Sequence, residues 1–201
     1  MMKQKIKLYL YSQLNQFIPV VLGVYIGIVA SNWNENRVRK QEQEEFITNL
    51  ILEIETNKEK LVEIKAYQEA ILTSARKAGS ELDDQLLEAP FWKVGHWKLI
   101  NGWEGLKIPT LENAVQQSGI MTNALSGLDF TTIHLIARSY NHQEEYKIYA
   151  QKLIFDNLTQ IDNATKTIEV INKLEVWQDM INLANAQIQE YDKTLENLSL
   201  L

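Results

Sequence analysis

Ile47-Thr-Asn-Leu50-Ile-Leu-Glu-Ile54-Glu-Thr-Asn57-Lys-Glu-Lys-Leu61-Val-Glu-Ile64-Lys-Ala-Tyr-Gln68-Glu-Ala-Ile71 is the stretch that decides the fold. Continued through Ala75, Ala78 and Leu82, its apolar positions recur at alternating steps of three and four. That spacing is the seam of a bundle or coiled-coil helix, and from Ile28 to Ala78 neither Gly nor Pro interrupts it. Asn57 and Gln68 put polar groups on the seam. They read either as register control or a partner contact, or as a half-covered helix face, and the half-covered face is the expectation. Glu42, Glu44, Glu45, Lys58, Glu59, Lys60 and Glu63 mark the solvated faces.

Upstream the chemistry changes. Between Lys7 and Glu35 there is no charge, and the apolar heart is Phe17-Ile-Pro-Val-Val-Leu-Gly-Val-Tyr-Ile-Gly-Ile-Val-Ala30. Extended to residues 10–33 it reaches the ~20 helical residues that a bilayer needs. Tyr9 and Tyr11 stand at one end and Trp33, followed by Arg37, at the other, where interfacial side chains belong. A cleaved leader fits poorly, because Ile28 occupies the position two before Ala30 where cleavage wants a small residue. Pro19, Gly23 and Gly27 suit a membrane helix better than a buried soluble one. Gly23, Gly27 and Ser31 share one stripe, on which two helices can approach closely. The expected contact is a second copy, with the seam from Ile47 to Leu82 extending the pairing; the alternatives are another protein's helix, or no contact on a helix that is simply Gly-rich as membrane helices are.

Of the net charge of −6, residues 1–33 carry +3 through Lys3, Lys5 and Lys7, which leaves −9 on the rest. With a pI near 5.2, nucleic acid is not an expected partner. The absence of Cys among the 201 residues excludes disulfides, thiolate metal sites and cysteine nucleophiles. There is no Gly-x-Gly-x-x-Gly, Walker-type or Gly-x-Ser-x-Gly run. His142 with Glu145 reverses the Glu-x-x-His order of di-iron bundles and has no second pair, so neither metal nor cofactor is expected.

The run Gly23-Val-Tyr-Ile-Gly-Ile-Val-Ala-Ser-Asn-Trp-Asn-Glu-Asn-Arg37 resembles an uncharacterised bacterial family of single-span membrane proteins. In that family a span ends in an Asn-Asn-Trp-Asn-Glu junction and a helical domain of unknown function follows. Asn32, Trp33, Asn34, Glu35 and Arg37 match, with Ser31 where Asn is common. Pro109-Thr110 and Gln117-Ser118-Gly119 resemble its Pro-Thr and Ser-Gly segment. The resemblance implies an architecture and no activity. It also implies the inner membrane, with the N-terminus cytoplasmic and the helical part periplasmic. Charge alone does not orient the span, since Arg37, Arg39 and Lys40 balance the three lysines.

The expected fold is all-α: a basic tail (1–9), a transmembrane helix (10–33), a long helix (34–79), short helices with a Trp-rich loop or hairpin (80–127), and C-terminal helices (128–201) forming an antiparallel bundle. Gly79-Ser80 is expected to stop the long helix, and Ser80 to Glu88 to form a short one. Thr110 is expected to cap a helix from Leu111 to Gln117, closed by Ser118-Gly119, and a second short stretch closes at Ser126-Gly127. Asn101-Gly102 signals a type I′ hairpin, with an irregular loop as the alternative. Ile168, Ile171, Leu174 and Trp177 step by three and walk off any single helix face, so a bend is expected between about Asn163 and Lys173. Phe91, Trp92, Trp97 and Trp103 form a mini-core, a docking or ligand surface or, with the lysines among them, a contact with membrane headgroups. Lys93, Lys98 and Lys107 lie among them. The expected function is non-enzymatic: an accessory subunit, scaffold or signal relay in a membrane complex. The alternatives are a sensor with a ligand in the bundle and an enzyme of unrecognised type.

Overall fold

A computed structural model of the chain describes all residues except Met1, residues 94–97 and Asn123, with the side chains of residues 2–16 and of Leu158 also outside the description. The fold is all-α, with no strand among the described residues. The helices are α1 (Met2–Glu81), α2 (Asp84–Glu88), α3 (Ala114–Met121), α4 (Phe130–Leu153), α5 (Thr167–Leu174) and α6 (Val176–Leu198). A 3₁₀ turn, Ala124–Gly127, precedes α4, and a π-helical turn, Ile154–Leu158, follows it. The chain divides into two compact units, Met1–Phe46 and Ile47–Leu201.

Among the described residues one helix, Phe17–Glu81, holds a stretch long and apolar enough to cross a membrane, and that stretch lies near the N-terminus. From Phe17 to Val29 its large apolar side chains are exposed throughout, Ile26 at 63 % and Val20 at 62 %. Nothing lies within 4 Å of the place where a Cβ on Gly23 or Gly27 would stand. The Ser31 hydroxyl donates to Glu35 Oε1 at 3.2 Å. Trp33 and Arg37 are exposed, and the side chains of Tyr9 and Tyr11 lie outside the described residues.

The second unit is built on the part of α1 from Ile47 onward. Leu50, Ile54, Leu61, Ile71 and Ala75 are fully buried, so the seam is the core face of the molecule's own bundle. That corrects the expectation that it extends a pairing between copies: its surface is already covered. Tyr140 bonds Glu53 and Gln143 bonds Asn57, so α4 runs parallel to α1. Asp192 meets Lys58, Asn185 meets Lys65 and Glu175 meets Arg76, so α6 runs antiparallel to both. Two neighbouring parallel helices need a return connection between them. Here the return is an extended strap, residues 101–113, lying antiparallel on α1 instead of a helix.

Several boundaries differ from expectation. Gly79 does not stop α1, which runs to Glu81. It packs against α5 instead, with Ile171 Cγ2 3.4 Å from where a Cβ would stand. The short helix is α2, shorter than Ser80–Glu88 because Asp83 caps it by accepting from Leu86 N at 2.8 Å. The helix expected at Leu111–Gln117 begins at Ala114 and runs through Ser118-Gly119, because α1 holds Glu112 extended. Asn101-Gly102 makes a turn and no hairpin: Gly102 at φ 82° and Gly105 at φ 100° take left-handed conformations that redirect the chain onto α1. The bend begins earlier than Asn163, at the π-helical turn, and ends at Thr167, with a second kink at Glu175 between α5 and α6. Its centre is a local turn in which the Asp162 carboxylate accepts from Ala164 N and Thr165 Oγ1. Phe91 N donates to Thr165 O and Thr167 N to Ala89 O, both at 2.9 Å, which ties this bend to the start of the aromatic segment.

Candidate functional site

The strap and the α1 face beneath it form the most constructed part of the second unit. α1 offers a polar ladder to the strap backbone. Ser74 Oγ accepts from Asn101 N at 2.7 Å. The Tyr67 hydroxyl accepts from Glu104 N at 3.0 Å and donates to Gly105 O at 2.7 Å. Gln68 Nε2 reaches Lys107 O at 3.5 Å. Asn57 grips Glu112 on both sides, accepting from its N–H at 2.8 Å and donating to its carbonyl at 2.7 Å. The Glu53 carboxylate then accepts from Val115 N at 2.8 Å. Asn113, the N-cap of α3, makes no side-chain cap bond. Glu53 supplies that cap from another helix, and its charge faces the positive end of the α3 dipole.

Asn57 and Gln68 are therefore not the half-solvated seam positions expected. Both are fully buried. A buried polar group costs free energy unless it is bonded, and an extended segment leaves its backbone groups needing partners. Each supplies what the other lacks.

A second layer of polar groups joins α4 and α6 to this ladder. The Tyr140 hydroxyl donates to Glu53 Oε1 at 2.6 Å, Gln143 Nε2 donates to Glu112 O at 2.9 Å, and the Tyr191 hydroxyl donates to Gln143 Oε1 at 2.5 Å. Burial, reinforced by the Glu53 carboxylate, pushes the Tyr140 hydroxyl far above the ordinary tyrosine range. Burial also raises Tyr191, and it pushes Tyr146 up to about 12. These phenols stay neutral donors at any physiological pH. The Tyr146 hydroxyl, Ser139 Oγ, Gln187 Oε1 and Gln68 Oε1 are buried atoms with no partner among the described residues.

The aromatic residues divide. Phe91 is fully buried, Trp103 is half-buried and Trp92 is 42 % exposed. Trp97 lies outside the described residues. Trp103 stacks on Trp177 with ring centroids 5.8 Å apart and planes 8° from parallel. Phe91 meets Trp92 and Trp103 edge-on at 4.9 and 6.2 Å, and Tyr67 tilts against Trp177 at 5.9 Å. Trp177, fully buried, is the anchor that sequence reasoning left out of the cluster. Its signal was the three-residue step that broke the α5–α6 stripe. Glu53, Tyr67, Tyr140, Gln143 and Tyr191 were missed too, and only Asn57 and Gln68 on the seam hinted at them. Lys107 lies over the Tyr67 ring, 4.7 Å from its centroid, and pairs with Glu104.

His142 is half-buried and Glu145 exposed. Among the described residues no group of three or more His, Asp or Glu is placed to hold a metal ion. Compared with protein-family models, with curated proteins and with solved structures, the chain matches none.

Proposed function

We propose that this chain is a single-pass protein of a bacterial inner membrane, of the single-span type that residues 23–37 resemble. Residues 10–33 anchor it, the N-terminus is cytoplasmic and the bundle periplasmic. The bundle acts as a non-enzymatic accessory or scaffolding subunit that binds another protein. The observation that carries this reading is the bare apolar surface of Phe17–Val29 on a helix whose continuation is a folded bundle. A helix so apolar, with no protein cover, suits a hydrocarbon solvent that asks nothing of its backbone. Gly23, Gly27 and Ser31 give that helix one flat stripe for a second copy or for another protein's helix. The test is recovery in mild detergent followed by identification of the proteins that co-purify, with a periplasm-only reporter fused after Leu201. A specific partner and an active reporter support the reading. Purification alone, or activity only from a cytoplasmic reporter, overturns the corresponding half.

One observation favours a second reading, a sensor holding a small polar ligand: the partnerless buried atoms of Ser139, Tyr146 and Gln187 in the bundle core. Thermal stabilisation by a small polar metabolite, abolished in Ser139→Ala, would distinguish it.

A further inference from the structure

Within the first unit, α1 changes character just past Trp33. Arg37, Arg39 and Lys40 follow it, all exposed, and none forms an ion pair among the described residues. In the second unit, by contrast, Lys58, Arg76, Arg138 and Lys166 each meet an acid from another part of the chain. Helix geometry sorts the three unpaired cations. At about 100° per residue, Arg37 stands about 40° to one side of Trp33 and Lys40 about 20° to the other. Leu22, Ile26 and Val29, all exposed, lie on that same face. One stripe thus runs from aliphatic side chains through an indole that is 68 % exposed to two cations.

No acid neutralises that stripe. Glu35 stands about 160° round the helix from Arg37, beside Arg39, and accepts from the Ser31 hydroxyl at 3.2 Å. The nearest acid on the cations' own face is Glu44, about 10 Å of rise beyond Arg37. Gly23, Gly27 and Ser31 occupy another face, so a helix seated on them leaves the stripe open. Direction matters too. In an α-helix the Cα–Cβ bonds lean toward the N-terminus, and here the apolar stretch is N-terminal to the cations. Arg37 and Lys40 therefore lean back toward it from about 6 and 10 Å beyond Trp33. The headgroup layer on each side of a bilayer is about 5–8 Å deep. With Trp33 at the interface, the Arg37 guanidinium falls at the depth of the phosphates, and the Lys40 stem brings its ammonium into the same layer.

We propose that Trp33, Arg37 and Lys40 bind the headgroup of an anionic phospholipid, with one acyl chain lying along Leu22, Ile26 and Val29. The phosphodiester oxygens accept from the Arg37 guanidinium, whose planar fork matches two oxygens at once, and Lys40 adds a second charge. A zwitterionic headgroup carries its own ammonium, which two cations without a neighbouring acid repel, so the net-anionic lipid is preferred. A free phosphate offers the same oxygens and nothing to lie on the aliphatic part of the stripe. The proposal deepens the membrane-anchor reading, rests on it for the bilayer, and holds for either orientation of the span.

The experiment takes the full chain from mixed micelles of equimolar dioleoyl-phosphatidylglycerol and dioleoyl-phosphatidylcholine, and native mass spectrometry weighs the lipid that it retains. The two lipids share chains and phosphodiester and differ in net charge. The wild-type chain retains phosphatidylglycerol about fivefold or more over phosphatidylcholine. Arg37→Gln with Lys40→Gln brings the ratio to parity, Arg39→Gln keeps it, and Arg37→Lys, which keeps the charge and loses the fork, lowers it by half or more. Excess inorganic phosphate displaces no lipid. If the double variant leaves the membrane pellet, high salt on the wild-type chain replaces it, since screening lowers a preference that rests on charge. Equal retention of the two lipids, a preference that survives the double variant or high salt, an equal loss in Arg39→Gln, or displacement by inorganic phosphate overturns the proposal. A wild-type chain that stays in the carbonate-washed pellet without a lipid preference overturns this proposal alone. A wild-type chain in the supernatant overturns the anchor reading and this proposal with it.

Discussion

One helix, α1, is used in two opposite ways. From Phe17 to Val29 it leaves large aliphatic side chains bare, while from Glu53 to Gln68 it buries an acid and two amides. Hydropathy alone ranks these stretches in the reverse order of their cover. The difference is what each stretch must satisfy. The first has an internally bonded backbone and side chains that ask only for an apolar surrounding. The second faces a strap whose backbone groups need partners that an aliphatic face cannot give.

The largest expected effect tests the bare half. Replacing Val24 and Ile26 by Arg costs ~2.5–3.5 kcal/mol per charge at a membrane centre. The wild-type chain is expected to stay in the pellet after a carbonate wash, and the double variant or a chain starting at Gln41 to move to the supernatant. Wild type in the supernatant would remove the contrast between the two halves.

Next comes the aromatic anchor. Trp177→Ala removes a fully buried ring and its stack with Trp103, an expected loss of about 3–5 kcal/mol in denaturant melts. Trp92→Ala, at an exposed ring, is expected to cost less than about 1 kcal/mol. Equal losses would mean that Trp92 belongs to the core.

The helical class was legible because period and length were both strong: eleven seam positions without a break leave little else. The strap was not legible, for a physical reason. Its residues 103–113 carry no long alternation of their own, and the α1 side chains that hold them extended lie between 37 and 55 residues away in sequence. Asn57 and Gln68 were visible as anomalies, but a buried amide and a wet one look alike until the partner backbone is known. Asp162-Asn-Ala-Thr165 was a readable turn, passed over because the bend was inferred only from helix phase. The sequence pattern also could not say which Trp was central, since Trp177 lies more than seventy residues after Trp103, on which it stacks.

The polar ladder is the third comparison. Asn57→Leu keeps volume but leaves the Glu112 N–H without its partner and the Glu112 carbonyl with Gln143 alone. The expected cost is about 2–3 kcal/mol. Glu55→Gln on the exposed face is expected to change little, less than about 0.5 kcal/mol. If Asn57→Leu is neutral or stabilising, the strap is held by its apolar residues and not by the ladder.

A smaller effect appears with acid. Arg138 at 2.6 Å, with Lys193 at 2.9 Å, holds the Glu190 carboxyl below its ordinary range. A depressed folded value means that the stabilisation is present above the unfolded Glu value of about 4.3 and disappears as pH falls through the lower folded one. Urea melts from pH 7 downward are expected to lose stability in that lower range. Arg138→Met should lose less over the same interval, and an identical pH dependence would show that the pair is energetically silent.

The smallest expected effect has the opposite sign. The Tyr146 hydroxyl is buried without a partner, and burial alone raises it. Within the same core the Tyr140 and Tyr191 hydroxyls are bonded. Removing an orphaned hydroxyl relieves a desolvation cost and leaves the ring's packing in place, so Tyr146→Phe is expected to gain up to about 1 kcal/mol. Tyr140→Phe strips Glu53 of a donor, so it is expected to lose about 1.5–3 kcal/mol, the range for bonds to charged groups. The pair of variants, melted side by side, measures whether position in the network or mere burial sets the worth of a phenol here. A loss at Tyr146 equal to that at Tyr140 would mean that an internal water bonds the Tyr146 hydroxyl.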